Sequence, residues 1–588
     1  MDNRYVKLIE SVKKPGRYTA GEVNVVRKEW SNTIIKIALA FPDIYDIGMS
    51  HLGIKSLYHI LNSRKDALCE RVFAPWGDLE EGLRASGLPL FSLESGKTLK
   101  DFDLVGFSLA HELNYTNVLN ILELSCMPIL SADRDLSYPL VIAGGPSALN
   151  PEPMADFIDI FFIGEAEEGI NEIVDRITRL KSGDVIKKKS EYLKEFLDIE
   201  GVYVPNFYEA TYEGGNFISL ASKIEKAPEK ISKRVIKDFD NCYYPTAQIV
   251  PNVSIVHDRV SLEIMRGCPN RCRFCQATAI YHPRRLRSPD TVMQLAKSAQ
   301  SLTGYDEISL LSLSTGDYPQ ILELLEKMIL EYKAKEVSIS LPSLRVEQIT
   351  STLPEVIKRI KKTGLTFAPE VGSKKLKNII NKKIENDVLI DSVRNAFNSG
   401  WNRVKLYFMI GIPGEDDADL DAIIDIVERI RSLKCRRKKT VTLSISSLIP
   451  KPHTPFQWEG MATRAELARK IDYIKKRIKH RDIKLDTHNI ESSFLECILS
   501  RGDRRLSEVI RRAFLSGARF DNWSDCFNIK LWLMAFKESG LDLEGYAGEF
   551  GYSRPLPWDH IDCGISKESL KQESILAHDY AAIQKLDR

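Results

Sequence analysis

The segment Arg266–Gln276 reads RGCPNRCRFCQ and places Cys268, Cys272 and Cys275 within eight residues, a C-x3-C-x2-C spacing. Closely spaced thiols of this kind bind soft metals as thiolates. A structural zinc site closes with four ligands. This segment supplies three, with His282 as a candidate fourth and no second CxxC pair at finger or ribbon spacing. Three unrelated core cysteines fit poorly, because PNRCRFCQ is polar and basic. Cubane iron–sulfur clusters are usually held by four thiolates. With three, one iron keeps an open position for a substrate or cofactor. Arg266, Arg271 and Arg273 would offset the negative charge of a thiolate-bound cluster.

The chain that must position these thiols has 588 residues, more than one hydrophobic core supports, so two or three domains are expected. It is 43% hydrophobic and 28% charged, the composition of a folded soluble protein. A net charge of +2 makes no global demand for nucleic acid or anionic membrane. The other cysteines (69, 126, 242, 435, 497, 526 and 563) are scattered singly, unlike a disulfide framework. The first residues carry no apolar leader. No run approaches the roughly 18 apolar residues of a membrane span. A cytoplasmic location is expected, where thiols stay reduced.

Residues 1–240 alternate short apolar runs with amphipathic stretches: TIIKIALAFP, ALCERVFAP, FDLVGFSLA, PLVIAGGPSA and IDIFFIGEAEEGI. This rhythm predicts a Rossmann-like, doubly wound parallel sheet followed by a linker. Such sheets bind ligands at the carboxyl ends of their strands. Those ends carry Ser108, Gly144, Gly145, Gly164 and Glu165. Small residues there let a bulky ligand approach the backbone, or simply make tight turns.

Residues 248–480 hold a second α/β series, with strands expected in VSLEIMRG, EISLLSLS, VSISLPSLR, GLTFAPE, RVKLYFMIGIPGE and VTLSISSLIPKP. Six β/α units predict a partial (β/α)6 barrel with its chemistry at the carboxyl strand ends. Residues 481–588 read as mainly helical, with an aromatic tail. His453, Phe456 and Trp458 near the sixth strand either line a pocket or pack the barrel rim.

The cysteine spacing, with Phe274 before the last cysteine and the loop after the first barrel strand, resembles the radical SAM superfamily. The resemblance implies a [4Fe–4S] cluster on Cys268, Cys272 and Cys275. It implies an open iron that chelates S-adenosylmethionine, and reduction by a donor such as flavodoxin or ferredoxin to yield a 5′-deoxyadenosyl radical. Ser312, Ser314 and Thr315 stand where the family's Gly-Gly-Glu-like turn holds the methionine amino group, with Asp317 as a replacement carboxylate. Glu370, followed by Gly372 and Ser373, resembles the ribose-contacting segment, and Gly411 lies in a stretch similar to the G-x-I-x-G region near adenine. A strand-end acid such as Glu370 could equally be a salt-bridged one.

The N-terminal segments AGGPSALNPEPMADFIDIFFIGEAEEGI and FSLAHELNYTNVLNIL resemble cobalamin-binding domains that precede radical SAM barrels. That resemblance gives Ser108, Gly144, Gly145 and Glu165 as cobalamin contacts. The D-x-H-x-x-G signature is absent, with Met49 in place of its Asp before His51, so no axial histidine is expected from that motif. Nearly the whole chain is similar to a group of cobalamin-domain radical SAM proteins, through FPDIYDIGMSHLGIKSLYHILN, RVFAPW, LPSLRV, GWNRVKLYFMIG and PKPHTPFQW.

Cobalamin-dependent methylation, or another radical modification, is the expected reaction. The alternatives are a methylthiotransferase-like RNA or protein modifier and a non-catalytic cobalamin or redox sensor. Cys69, Cys126 and Cys242 are too far apart to suggest the second cluster loop of a methylthiotransferase. The basic stretches YHPRRLRS and IKKTGLTFAPEVGSKKLKNIINKK could face RNA, or be ordinary basic surface. If both cofactors bind, the N-terminal sheet should cap the carboxyl face of the barrel.

Overall fold

The structure, a computed structural model, describes residues 3–183, 186–341, 365–435 and 438–586. Five parallel strands, β1 (Ile35–Phe41), β2 (Ala67–Phe73), β3 (Leu104–Ser108), β4 (Leu140–Gly144) and β5 (Ile160–Phe162), build the N-terminal sheet. The short β6 (Val202–Tyr203) closes it antiparallel, in the order β2-β1-β3-β4-β5-β6. Every residue of β2 and nearly every residue of β1 is buried. Successive side chains point to opposite faces, so both faces are covered, which is why these strands read as continuous apolar runs. The winding direction reverses between β1 and β3, and a crevice opens outside the strand ends at such a switch point.

After a hairpin of β7 (Tyr208–Glu213) and β8 (Asn216–Ser222) comes the short β9 (Ile231–Ser232). The second α/β series opens with β10 (Val260–Glu263) and β11 (Met265–Arg266). β11 pairs antiparallel with β12 (Arg285–Leu286), which pins the two ends of the cysteine loop together. β10 lies in a parallel sheet with β13 (Glu307–Leu311) and β14 (Ser338–Ser340). A four-stranded parallel sheet follows: β15 (Leu365–Glu370), β16 (Arg403–Ile410), β17 (Thr440–Ser447) and β18 (Ile483–Thr487).

Among the described residues, seven strands, three in one parallel sheet and four in the other, stand where six were expected. The missed strand is β18, whose sequence IKLDT leaves its lysine and aspartate exposed and its other residues half-buried. Its alternation is that of a half-buried strand, but the run is only five residues long and has just two aliphatic side chains, so it does not stand out in the sequence. Of the expected strand VSISLPSLR, residues 342–345 lie outside the described residues.

The C-terminal helices Ile490–Arg501 and Leu506–Leu515 pack back on the N-terminal half. Asn150 donates to the Ser500 and Gly502 carbonyls, and Arg504 pairs with the buried Glu152 at 3.0 Å. β19 (Ile561–Asp562) pairs with β9 and ties the tail to the segment that joins the two halves. One hydrophobic core accordingly runs through residues from Tyr5 to Cys563.

A buried charge cluster fastens three of these parts. Lys451, after β17, places its ammonium 2.9 Å from both Glu112, after β3, and Glu496, on the helix Ile490–Arg501. His111 adds an imidazole 3.3 Å from Glu496. Burial alone would raise the Glu496 carboxyl; Lys451 and His111 hold it well below the usual range. Removing one partner of a buried ion pair costs about 3–5 kcal/mol, because the remaining charge keeps its desolvation penalty. Lys451→Met should therefore lower the urea unfolding midpoint, read by circular dichroism, by that free energy divided by the slope of the transition. An unchanged midpoint would show that water reaches the two carboxylates.

Candidate functional site

The cysteine loop is built rigidly. Gly267 opens it with a φ of 87°, and a Cβ there would meet the Tyr281 carbonyl at 2.7 Å, so only glycine turns the chain at this point. Phe274 packs among Val371, Ile379, Met409 and Phe456, anchoring the loop to the barrel. Arg273 is buried, bonds the Asn378 and Ile379 carbonyls, and pairs with Glu573 of the C-terminal helix Lys567–Leu586. Asn270 donates to Cys268 Sγ at 3.3 Å and to Asp317 Oδ2 at 3.0 Å; Ser314 donates to the same Asp317 oxygen at 2.7 Å. The turn after β13 is thereby tied to the first cysteine.

Burial pushes the Cys272 thiol up to about 11. Lys382 opposes that rise, and Cys275, Glu370 and Cys268 add to it. Burial also raises Cys275, against hydrogen bonds from the Ala277 and Thr278 backbone. Cys272 thus feels both other sulfurs and Cys275 feels Cys268, so neither Cys272 nor Cys275 is a comfortable free thiolate. A cation that takes them as ligands removes this repulsion. Among the described residues, the one His/Cys/Asp/Glu trio whose donor atoms all lie within 4.8 Å of one another is His111–Glu112–Glu496. Lys451 already supplies the cation there. The three cysteine thiols are not such a trio. Three thiolates so close in sequence suit an iron–sulfur cluster.

The sequence-derived contacts divide. Glu370 ends β15 beside a register shift, with a φ of 69° that a side-chain-bearing residue rarely adopts. Its carboxylate pairs with Lys382 at 3.5 Å, and burial raises its pKa despite that lysine. It is both a salt-bridged acid and a neighbour of Cys272 and Cys275. Ser312 and Thr315 are buried and bond each other at 3.0 Å, so they knit the turn. Gly411 donates its N–H to Glu415, which is held by Lys470.

The arginines expected around the cluster are mostly engaged elsewhere. Arg273 serves carbonyls, and Arg266 serves carboxylates described below. Only Arg271 is exposed, and Lys382 is the cation felt at Cys272. His453 Nε2–H donates to the Leu149 carbonyl, and Phe456 and Trp458 lie in apolar clusters. The rim-packing alternative holds for these three.

A cavity of about 420 Å³ lies where the carboxyl edge of the N-terminal sheet faces the barrel. Ser108, Gly144, Gly145, Gly164 and Glu165 all line it, together with Gly106 and His51. Its barrel side is Glu263, Arg266, Tyr281, Arg287 and Leu311. A Cβ at Gly106 would find its nearest neighbours at 3.7 Å, so the missing side chain leaves room in the cavity. Gly145 is a glycine for its own backbone: its φ is 111°, and a Cβ would sit 2.8 Å from the Leu109 carbonyl. His51 Nδ1 is buried without a hydrogen-bond partner, and burial lowers the ring's pKa, which keeps it neutral. An orphaned imidazole nitrogen and a flat glycine-lined edge fit a large planar ligand.

Glu165 has a second role that its sequence position did not reveal. It accepts two bonds of 2.6 Å from Arg285 and one of 2.8 Å from the Ile236 N–H, and lies 3.5 Å from Arg266. Burial would raise its pKa, but these partners lower it. Phe239, in the segment read as a plain linker, stacks under Arg266, Arg285 and Arg287 at 4.9, 6.0 and 4.6 Å. The functional residues missed in sequence, Asn270, Lys382 and Phe239, have no motif of their own. Only the proximity of Asn270 to Cys268 could have marked it.

Residues 53–205 match the family described as "Radical SAM proteins, N-terminal", and residues 262–427 match the Radical SAM superfamily. The chain is 30% identical over 478 residues to "Uncharacterized protein MJ0966" of Methanocaldococcus jannaschii, covering 81% of this chain and 91% of that protein. It is 22% identical over 236 residues to the threonylcarbamoyladenosine tRNA methylthiotransferase MtaB of Thermotoga maritima, covering 38% and 51%. The fold is similar to the radical S-adenosylmethionine methyltransferase TsrM from Kitasatospora setae, solved with cobalamin and a [4Fe-4S] cluster bound. The TM-score is 0.51 at 11% identity, over 82% of this chain and 99% of that one. The chain belongs to the radical SAM superfamily, and it is a radical SAM enzyme. No helix of the described residues is long and apolar enough to cross a membrane.

Replacing Cys268, Cys272 and Cys275 together by alanine should abolish bound iron and the visible thiolate-to-iron absorption of the reconstituted protein. Iron retained at full stoichiometry in that variant would place the cluster elsewhere.

Proposed function

We propose that this enzyme holds a [4Fe–4S] cluster on Cys268, Cys272 and Cys275, S-adenosylmethionine against that cluster, and a cobalamin in the interface cavity, and that it methylates an unactivated carbon. The observation that carries the reading is that one segment serves both places. Arg266 and Tyr281, which flank and end the cysteine loop, also line the cavity under the sheet edge. When bound, the cluster supplies the electron for sulfonium cleavage and the corrin a transferable methyl group. The chain's own residues set the geometry. Phe274 and Arg273 fix the loop. Glu370 offers a half-buried carboxylate near the thiols for a polar part of S-adenosylmethionine. Gly106, Ser108 and Gly144 leave the sheet edge open for the corrin.

A methylthiotransferase would need a second cluster. Cys69 lies inside β2 among Glu70, Arg71 and Glu94, whereas Cys242 sits beside Glu167, Arg266 and Arg287. These surroundings do not overlap, which favours methylation. Of the basic segments offered for RNA, Arg284, Lys374 and Lys383 are exposed, residues 361 and 362 lie outside the described residues, and the others are engaged. Arg285 and Arg287 serve the interface, while Lys375, Lys377 and Lys382 bind Asp416, Asn386 and Glu370. The electron donor, flavodoxin- or ferredoxin-like, stays part of the proposal.

Gly106→Leu should fill the cavity and weaken hydroxocobalamin binding at least about tenfold, or 1.4 kcal/mol, with iron content unchanged. Corrin binding at wild-type strength would show that the corrin sits elsewhere. Glu370→Ala should weaken S-adenosylmethionine binding and slow release of 5′-deoxyadenosine while the cluster is retained. An enzyme that binds both cofactors yet releases no 5′-deoxyadenosine under reduction would be a sensor.

A further inference from the structure

One side chain stands between the cavity and the cysteine loop. Arg266 closes β11 two residues before Cys268. Its guanidinium meets Glu167 at 2.7 Å, Glu263 at 2.8 Å and Glu165 at 3.5 Å. Glu263 belongs to the barrel. Glu165 and Glu167 belong to the start of the helix Ala166–Ser182, at the carboxyl edge of the N-terminal sheet. All three carboxylates, and Arg266 with them, form part of the cavity wall.

The backbone that follows has no slack. Gly267 is wedged against the Tyr281 carbonyl and Arg284, and β11 is pinned to β12 on both of its residues. Arg266 and Cys268 are therefore joined by two tightly held peptide units, so a change in the bonds that hold Arg266 bears on the first cysteine with little backbone freedom to absorb it. A corrin carries carboxamide arms whose N–H groups compete with a guanidinium for carboxylate oxygens. A ligand that takes one oxygen of Glu167 or Glu263 redistributes the bonds that hold Arg266. A ligand moves such an equilibrium only through unequal affinity for the two arrangements, and these shared carboxylates supply that inequality.

We propose that Arg266 is a positioning residue that couples occupancy of the cavity to the cysteine loop, so that a corrin in the cavity changes how strongly S-adenosylmethionine binds at the cluster. This rests on the proposed reading of the cavity and the loop. Thermodynamic reciprocity makes the coupling measurable from either ligand.

The test uses the full chain, anaerobically reconstituted with oxidised cluster, and equilibrium dialysis of labelled S-adenosylmethionine with and without saturating hydroxocobalamin. The wild-type dissociation constant should change by about fivefold or more on adding the corrin. Arg266→Lys keeps the charge but cannot bridge three carboxylates, and Glu167→Gln removes one anchor while keeping its shape. In both variants, with iron content and corrin binding verified, the ratio of the two dissociation constants should fall to one. A wild-type ratio of one overturns the inference, and so does a wild-type response that survives in both variants. Failure of the wild-type protein to bind hydroxocobalamin at all overturns the reading of the cavity, and this inference with it.

Discussion

A buried carboxylate that cannot shed its charge has to find a cation, and in this chain that requirement sets how the two halves meet. Glu165 sits at the carboxyl end of a parallel sheet, 8% exposed, and its cations, Arg285 and Arg266, lie in the barrel. Left unpaired, a buried carboxylate carries a penalty of several kcal/mol. The sheet edge must therefore face the barrel. That edge is also where an open α/β sheet offers its ligand crevice, so the pairing that joins the halves also encloses the cavity between them. Phe239 completes the joint by giving the guanidinium planes one aromatic face to stack on.

The cysteine loop shows how a connecting segment becomes a precise scaffold. Its ends are clamped by β11 and β12, its middle by Phe274 in an apolar pocket, and its first cysteine by Asn270 and Asp317. Arg273 extends the support to the last helix through Glu573, with Tyr580 alongside its guanidinium. The C-terminal helix, distant in sequence, thus belongs to the shell that holds the thiols. Sites whose ligands are locked by such surrounding contacts keep the geometry that chemistry demands.

Much of the chain's charge is internal. Lys451 with Glu112 and Glu496, Arg504 with Glu152, and Lys470 with Glu415 are buried pairs that connect different segments. Ion pairs of this kind add little net stability over apolar contacts, but each is strongly intolerant of losing one member. They hold particular segments together.

The sequence by itself determined what is local. The C-x3-C-x2-C spacing marks the metal-binding loop. The continuous apolar runs mark a parallel sheet covered on both faces, and the small strand-end residues Ser108, Gly144 and Gly145 mark the edge that a ligand approaches. Each of these signals lies within one turn or one strand, so residue type and period suffice to read it. What joins distant segments was decided only by the tertiary structure. Glu165, a candidate ligand contact at a strand end, also accepts from Arg285, 120 residues away. Arg266 and Arg273 looked like counter-charges for a cluster until their carboxylate and carbonyl partners were placed. β18 alternates half-buried and exposed residues over only five positions, and its place beside β17 is fixed by pairing with a strand some forty residues earlier. A side chain's role in chemistry depends on which of its polar atoms are already satisfied, and those partners come from elsewhere in the chain, where the local pattern carries no trace of them.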